Sequence, residues 1–419
     1  MFNRQEKFLL FILAAVNFSH IVDFMIMMPL GPALMRIFDI NTSQFGLLVS
    51  AYTFTAGLSG FLASFFIDRF DRKKALQFFF FGFSIGTIAC AFSPTYEILL
   101  TTRSLTGFFG GVLGSLVMSI VSDQIEYSRR GSAMGIIMSA FSLASILGVP
   151  FSLYLANQFD WHAPFLFLGV ASVAVSAVIF LGLPPMHSHL HHLGHEKPSA
   201  FATLKSIANN RNQQLALLFM ATMVFGHFAI IPFLSPSMVM NVGLTEAQLP
   251  LIYLVGGGFS IFTGPLIGRM ADRFGKHRVY FVSGLVVLIP ILLITHLGPS
   301  SIYWALSIVA FFFVASGGRM IPASAMVSST VLPQQRGSFM SLVSSVQNLC
   351  SAAASYVAGM LVSKSSTGQL LNYERVGYFA VAFSLVAVYL STKIKNIEQP
   401  LKIHPEDQTP QTQTVESVL

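Results

Sequence analysis

The chain has 419 residues, of which 54% are hydrophobic and 10% are charged, and its formal net charge is +7. Because charged residues make up about a quarter of an ordinary globular chain, this composition excludes a soluble enzyme. We expect no enzymatic activity. The positive charge does not indicate a nucleic-acid partner, because it follows from how Lys and Arg are distributed around apolar segments.

Apolar blocks recur along the chain, and each is long enough to cross membrane hydrocarbon, which takes about 20 residues per helix. Twelve are predicted, at residues 8–30, 44–67, 75–92, 98–121, 132–156, 163–183, 214–234, 249–268, 279–297, 302–327, 337–362 and 376–392. The first block lacks a small-residue cleavage site, so we do not expect a cleaved signal peptide. The sequence predicts an all-α membrane protein with twelve transmembrane helices in two six-helix bundles.

Lys and Arg lie almost entirely on one side of these spans. If the N-terminus is cytoplasmic, the opposite side keeps only Arg36, Lys364 and Arg375. By the positive-inside rule, both termini are expected in the cytoplasm. This pattern predicts a multi-pass protein of a bacterial plasma (inner) membrane, in contact with the lipid bilayer.

The two halves of the chain repeat each other. Asp68-Arg69-Phe70 returns as Asp272-Arg273-Phe274, an offset of 272 − 68 = 204 residues. The same offset relates two predicted helix starts, Asn41-x-x-Gln44 and Thr245-x-x-Gln248, each with the pattern of a capping box. Tandem repeats of this kind predict a pseudo-symmetric molecule with its working site between the halves.

The repeat also sets the predicted domain organisation. Residues 1–185 form the first six-helix bundle and residues 214–394 the second, joined by a cytoplasmic linker, 186–213. The linker includes an apolar pattern around Phe201 that suggests a short interfacial helix. Residues 395–419 are polar, which predicts a disordered tail.

Five histidines lie close together in this linker, and they are either a solvated segment or weak ligands for a soft divalent metal. They are His187, His189, His191, His192 and His195.

The loops between the second and third spans of each half carry a recognisable signature. The first contains Asp68-Arg69-Phe70-Asp71-Arg72, and the second reads Gly268-x-x-x-Asp272-Arg273-Phe274-Gly275-Lys276. This resembles the Gly-x-x-x-Asp-Arg-x-Gly-Arg-Arg signature of the major facilitator superfamily. The first copy departs from it, with Ser64 and Asp71 in place of glycine.

These loops suggest a cytoplasmic latch, because an Asp at a helix end can pair with an Arg and with a neighbouring helix N-terminus. The alternative is that the basic residues serve membrane topology alone. The candidate latch residues are Asp68, Arg69, Arg72, Asp272 and Arg273.

Further motifs are similar to elements of the proton-coupled efflux branch of this superfamily. They include Arg103-x-x-x-Gly107 in the fourth span and Gly148-Val149-Pro150 in the fifth, where Val149 departs from the Gly-Pro of drug exporters. The departure looks more like the branch of sugar and nucleoside exporters. The residues expected to give the helices flexibility are Pro29, Pro32, Gly107, Gly148, Pro150, Gly317 and Gly318.

Charges within spans are rare here and are therefore candidates for function. Asp23 is the only acidic residue in the middle of a span, and Arg103 and Arg319 are the clearly intramembrane basic residues. A charge in hydrocarbon costs about 2.5–3.5 kcal/mol on insertion scales. His20 shares the helix face of Asp23, and His227 is its repeat mate, because 227 − 204 = 23. We expect Asp23 and His227 to face a central cavity.

The roles of these residues remain open at the level of sequence. Asp23 is either a proton-coupling carboxylate or a permanent partner of Arg103, and His227 is either coupled to it or a satisfied cavity histidine. Arg319 would hold an anionic substrate or neutralise Asp23.

The leading interpretation is a monomeric secondary transporter that exports small organic solutes, such as drugs, sugars or nucleosides, in exchange for protons. No Gly-x-x-x-x-Gly-Lys-Ser/Thr element occurs, so ATP is not expected to drive it and no cofactor is expected. One alternative is a divalent-metal exporter using Asp23, His20 and His227. Another is proton-coupled uptake of a small organic anion, and a membrane-embedded sensor fits least well.

Overall fold

The structure is a computed structural model that describes residues 2–126, 129–187, 207, 209–331 and 336–395, apart from the side chain of Asp68. The N-terminal half contains α1 (Arg4–Ile26), α2 (Gly31–Ile37), α3 (Thr42–Ala63), α4 (Arg72–Ala91), α5 (Tyr96–Gln124), α6 (Arg130–Leu143), α7 (Val149–Gln158) and α8 (His162–Gly182).

The C-terminal half contains α9 (Arg211–Met240), α10 (Leu249–Phe274), α11 (Lys276–Val286), α12 (Leu288–Thr295), α13 (Ile302–Ser328), α14 (Arg336–Leu361) and α15 (Tyr373–Ser391). A short antiparallel ribbon that the sequence did not predict, β1 (Ser363–Lys364) with β2 (Leu370–Leu371), connects the last two helices.

Twelve helical spans result within the described residues, because α6 continues into α7 and α11 into α12. In the described part of the chain, eleven spans are long and apolar enough to cross a membrane. The twelfth, α14, is also long enough but is more polar, because serines recur along it. The predicted all-α fold is confirmed. The capping boxes at Asn41 and Thr245 are also confirmed, with Gln44 and Gln248 as the reciprocal partners.

Prolines lie close to the breaks in two of the spans. The first predicted span stops at Ile26, and a turn containing Pro29 leads to Pro32 in the first turn of α2. In the fifth span, a π-helical turn at Ala144–Gly148 separates α6 from α7. Pro150 lacks the N–H that an α-helix would need there, and widened turns are frequent at functional sites.

The two ends of the bundle are packed differently. We call the end where α1, α4 and α9 begin the terminal face and the opposite end the distal face. At the distal face one buried apolar cluster includes residues of both halves, such as Phe45 and Phe233. Near the terminal face each half has its own cluster, around Leu116 in the first half and around Met326 in the second. The halves are therefore joined most extensively at the distal face.

Polar contacts reinforce this distal seal. Arg36 forms an ion pair with Glu246 across the two halves, with 2.7 Å between Nη1 and Oε1. The hydroxyl of Thr42 donates to the carbonyl of Val362 at 2.6 Å. An exposed ion pair is worth about 0–1 kcal/mol, so most of the seal's stability must come from helix packing.

The closest packing across the halves is between α3 and α14. A Cβ added to Gly46 would lie 2.8 Å from the carbonyl oxygen of Ser355 and 2.9 Å from Cα of Gly359. Small residues allow backbones in membranes to approach this closely. Larger side chains at Gly46 would therefore separate the halves.

We predict that Gly46→Val opens the distal face. Overpacking typically costs about 1–3 kcal/mol, which corresponds to a change of about 5- to 150-fold in a conformational equilibrium. Pulsed electron paramagnetic resonance would measure the distance between spin labels attached at Phe92→Cys and Tyr303→Cys, which are exposed distal positions on opposite halves. Cys90 and Cys350 are replaced so that only these two positions carry labels. The longer-distance population should grow.

The matched control for this prediction is Gly258→Val. A Cβ added to Gly258 meets no atom of the described residues within 4 Å, so this variant should keep the wild-type distance distribution. If Gly46→Val also keeps it, the close contact between α3 and α14 does not hold the distal face closed.

Candidate functional site

Asp23 and Arg103 form a fully buried ion pair inside the N-terminal half. Arg103 Nη1 lies 2.7 Å from Asp23 Oδ2, and the two side chains are 1% and 0% exposed. The second guanidinium nitrogen donates to the backbone carbonyl of Asp23 at 3.3 Å, and Thr87 donates to Oδ1 at 3.1 Å. The carboxylate is therefore neutralised by α5 and bonded by α4.

Small residues on α5 position the guanidinium. A Cβ on Gly107 would collide with the carbonyl oxygen of Tyr52, and one on Gly111 would collide with that of Ala56. Because α3 lies this close to α5, the ring of Tyr52 covers Arg103, with 4.5 Å from the guanidinium carbon to the ring centroid. This is cation–π geometry. Gly107, which the sequence suggested as a source of helix flexibility, thus permits the close packing of α3 against α5.

A cavity of about 150 Å³ lies between the halves beside this pair. Its walls come from α1, α3 and α5 in the first half and from α14 in the second. His20 and Tyr52 line it, and neither His20 Nδ1 nor the Tyr52 hydroxyl has a hydrogen-bond partner among the described residues. Buried polar atoms without partners are available to a ligand or to water.

The facing wall of this cavity is polar and uncharged. It consists of α14 side chains, namely Ser341, Ser344, Ser345 and Asn348. Phe24 adds an aromatic surface. Hydroxyl and amide groups of this kind can donate and accept hydrogen bonds. A larger groove of about 450 Å³ between α1 and α6 is mostly apolar and is lined by the N-terminal half alone. The smaller cavity is lined by both halves and by Tyr52, which covers Arg103, so it is the better candidate site.

The expectation that Asp23 and His227 face the central cavity is wrong for this conformation, because neither residue lines it. The adjacent residues meet instead, with 5.9 Å between the ring centroids of Phe24 and Phe228. One residue along a helix is a rotation of about 100°, which turns Asp23 towards its own half. His227 stacks on Phe312 of the C-terminal half at 5.6 Å.

Arg319 lies in the interior of the C-terminal half and does not neutralise Asp23. It is 2% exposed, and its Nη1 donates to the hydroxyl of Ser384 at 3.1 Å. Within the described ranges, Arg319 forms no ion pair and its Nη2 has no hydrogen-bond partner. Gly318 packs near Ile267, whereas a Cβ added to Gly317 would meet none of the described atoms within 4 Å.

The fifth-span motif packs directly against the helix that carries Asp23. A Cβ on Gly148 would collide with the side chain of Val22, and one on Gly257 of α10 would lie 2.9 Å from Ile146. Gly148 and the π-helical turn before Pro150 therefore sit between α1 and the C-terminal half.

The candidate latch residues are not gathered at one place. Arg72 Nε donates to Asp123 at 2.9 Å, within its own half. Arg69, Asp272 and Arg273 are exposed, and the side chain of Asp68 lies outside the described part.

The histidine-rich linker is described only at its first member. His187 Nδ1 lies 2.7 Å from Asp71 Oδ2, and the other candidate ligands lie outside the described residues: His189, His191, His192 and His195. The interfacial helix expected near Phe201 also falls there. Across the described ranges, no three His, Cys, Asp or Glu side chains are grouped so that they could hold a metal ion.

The comparisons with known proteins agree with this architecture. The sequence profile of the Major Facilitator Superfamily matches residues 13–355 and 223–416. The chain belongs to the major facilitator superfamily. This is a family of transporters rather than enzymes, so the protein is a multi-pass membrane transporter that acts on small molecules.

Relatives in this superfamily are distant in sequence but similar along their whole length. The uncharacterized transporter YceJ of Bacillus subtilis (strain 168) is 25% identical over 374 residues, covering 87% of this chain and 89% of that protein. A probable sugar efflux transporter of Mannheimia succiniciproducens is 19% identical, covering 96% and 98%. The crystal structure of a D-xylose–proton symporter gives a TM-score of 0.74 at 15% identity, covering 93% and 99%.

We predict that Asp23→Asn and Arg103→Gln each lower the melting temperature by several degrees. Each change leaves the other charge buried and unpaired, at a cost of about 3–5 kcal/mol. The double variant should lose less than the sum of the single losses, because its two neutral amides can bond each other. Thermal unfolding of the detergent-solubilised protein measures this.

A matched control is the exposed pair, Arg36→Gln and Glu246→Gln, which should change the melting temperature little and additively. Simple additivity for Asp23 and Arg103 as well would contradict the buried pair.

A second prediction concerns Arg319. Arg319→Met should keep or raise the melting temperature, because it removes a buried guanidinium that forms no ion pair in the described structure. Arg319→Lys keeps the charge and should not show this gain. A fall of many degrees in Arg319→Met would mean that the guanidinium has a strong structural partner.

Proposed function

We propose that this superfamily member is a proton-coupled exporter of small, uncharged organic solutes that works by alternating access. The observation that carries the proposal is the buried pair of Asp23 and Arg103, which lies beside a cavity shared by the two halves. A carboxylate at this depth is costly unless it is paired or protonated. Proton uptake by Asp23 would release Arg103 and change the packing of α1 against α5.

The communication between proton and substrate runs through Tyr52 and His20 in this proposal. Tyr52 covers the guanidinium with its ring and is also one of the residues that line the cavity. His20 lies one helical turn before Asp23 and also lines the cavity. A solute bonded to either side chain would alter the surroundings of the ion pair without touching it. Proton coupling therefore involves Asp23 and Arg103 more directly than His227.

The class of substrate is inferred from the cavity wall. The serines and Asn348 of α14 suit a solute rich in hydroxyl groups, such as a sugar or the ribose of a nucleoside. The whole-length similarity to a probable sugar efflux transporter supports both the substrate class and the outward direction. A lipophilic cation fits less well, because the described lining contains no carboxylate.

The proposed setting is a bacterial inner membrane with both termini in the cytoplasm, which makes the terminal face cytoplasmic. The concentration of Lys and Arg on that side supports this orientation. The protein would act as a monomer of two bundles joined by a linker, without a cofactor. The signature loops at Asp68 and Asp272 would latch the cytoplasmic side when it closes.

A second candidate function is proton-coupled uptake of a small organic anion. The observation that favours it is Arg319, which lacks a carboxylate partner among the described residues. The geometry gives less support to metal export, because Asp23 is already bonded to Arg103 and Thr87.

We predict that Asp23→Asn abolishes substrate-driven proton movement but keeps substrate exchange. The neutral amide cannot give up or take up a proton, whereas exchange needs only the conformational change. The assay is reconstitution in liposomes containing a pH-sensitive dye, with candidate sugars, nucleosides, lipophilic cations, organic anions and divalent metals. Sugars or nucleosides should produce proton flux in the wild type.

Asp160→Asn is the control, because Asp160 is an exposed acid near the distal end of the N-terminal half. Proton flux in this variant should match that of the wild type. Undiminished flux with Asp23→Asn would exclude Asp23 as the coupling group, and flux with organic anions alone would favour the second candidate function.

A further inference from the structure

Asp71 connects the signature loop of the N-terminal half to the start of the linker. Its Oδ1 accepts the N–H of Lys74 at 2.8 Å and caps α4. Its Oδ2 accepts the N–H of Met186 at 2.7 Å. The backbone N–H of Arg72 donates in return to the carbonyl of Met186 at 3.2 Å. Two reciprocal bonds therefore hold Met186 against the beginning of α4.

Lys73 fixes the preceding segment at the end of α8. Its ammonium group donates to the carbonyls of Phe180 and Leu183, at 2.9 and 2.5 Å. These carbonyls belong to the last turn of a helix and to the residue after it, where backbone acceptors lack intrahelical partners. Lys73 thus binds the end of α8, and Asp71 binds Met186 just after it. Together they hold the chain where it leaves the N-terminal half.

His187 adds a proton-sensitive contact to this arrangement. Its Nδ1 lies 2.7 Å from the same carboxylate oxygen, Asp71 Oδ2, that accepts the N–H of Met186. His187 is 53% exposed, whereas Asp71 is 6% exposed. Protonation gives the imidazole a charge and makes both ring nitrogens donors, which strengthens the contact with a carboxylate.

We propose that Asp71 and His187 form a pH-sensitive clamp that fastens the start of the linker to the signature loop, tightly when the terminal face is acidic and loosely when it is alkaline. The clamp makes the order of that loop depend on pH. Because Asp68 and Arg69 precede Asp71 in the same loop, it also ties the candidate latch to the local proton concentration.

The other charged groups close to Asp71 have bonding partners of their own. On α4, Arg72 is bonded to Asp123 of α5, and Lys73 is bonded to backbone carbonyls. Lys, Arg and Asp side chains ordinarily keep their charge in this range, whereas histidine ordinarily titrates there.

Asp71 itself remains a carboxylate over this range. Burial is the largest influence and opposes ionisation, but the N–H groups of Lys74 and Met186, with His187, hold the pKa of Asp71 below its ordinary value of 3.8. For an acid whose pKa is lowered in the folded state, the stabilisation is complete above the ordinary value and is lost as the pH falls through the lowered one. The acceptor is therefore constant between pH 5.5 and 8.5.

The clamp is specific to one half of the molecule. The repeat mate of Asp71 is Gly275, because 275 − 204 = 71, and Gly275 has φ +92° and no side chain to donate or accept a bond. Asp71 has φ −53° and serves as the N-cap of α4. One of the two residues that depart from the superfamily signature, Asp71, is thus the residue that holds the start of the linker.

Hydrogen–deuterium exchange of the full-length protein in lipid nanodiscs tests the clamp. Exchange of the Met186 amide is measured at pH 5.5 and 8.5 and divided by the intrinsic rate at each pH. In the wild type, protection should be at least threefold greater at pH 5.5. His187→Gln should remove this difference, and His187→Arg should give high protection at both values. Asp71→Asn should reduce protection at pH 5.5 to the alkaline level of the wild type or below.

His162→Gln is the matched control, because His162 Nδ1 contacts Asp160 at 3.1 Å near the distal end of the same half. Its pH dependence at Met186 should equal that of the wild type. Equal protection of wild-type Met186 at both pH values would overturn the proposal, as would a pH difference that persists in His187→Gln. The His187 variants still test the pH-sensitive clamp if Asp71→Asn fails to fold.

Discussion

A buried carboxylate in a membrane-spanning bundle has to be neutralised. The Asp23–Arg103 pair does this, and it restricts which helices can be neighbours. Arg103 must reach α1 from α5, so α5 must lie beside both α1 and α4. The glycines that let α3 approach α5 bring Tyr52 over the guanidinium. The ion pair therefore accounts for the mutual placement of α1, α3, α4 and α5. A larger residue at Gly107 would displace the cover over Arg103 as well as the helix.

The same pair connects stability with the proposed coupling. An ion pair that is fully desolvated contributes little net free energy when intact, but losing one partner is expensive. Protonation of Asp23 is chemically equivalent to losing one partner, so it would place the N-terminal half in an unfavourable state until the helices move. Because Tyr52 and His20 both line the cavity, a bound solute and the ion pair share the same neighbours.

The features that the sequence predicted correctly are those for which a membrane leaves a given residue type few possible environments. The spans, the repeat, the superfamily and the capping boxes follow from hydropathy, offset and cap chemistry, and the structure and comparisons confirm them. The contact of Asp23 with Arg103 was foreseen as an option, because a buried acid needs a partner. The repeat offset pairs Asp23 with His227, but it gives no rotation about the helix axis, so it missed that Phe24 and Phe228 meet instead.

Other features could not be read from the sequence because they depend on which helices become neighbours. The serines of α14 look like ordinary small residues of a span until α14 is seen to face the cavity. Their recurrence, which makes α14 the most polar span, was the available signal. Thr87 and Tyr52 gave no signal, because a hydroxyl on a span usually bonds to its own backbone. Asp71 was noted only as a departure from the signature, and its contact with Met186 spans 115 positions along the chain.

The distal seal is built so that it can open. Its tightest contact is between backbones at Gly46 and Gly359, and its ion pair is solvent-exposed. Neither of these two contacts buries large side chains, whereas Phe45 and Phe233 pack against each other across the halves at the same face. In a membrane, separating such surfaces forfeits packing but little hydrophobic free energy, because lipid replaces the lost neighbour. A two-state transporter needs this balance, since a solute or proton can shift the equilibrium only by its own differential affinity for the two states. In the proposed mechanism, protonation of Asp23 reverses this equilibrium only if its differential free energy between the two states exceeds that of the packing at the distal seal.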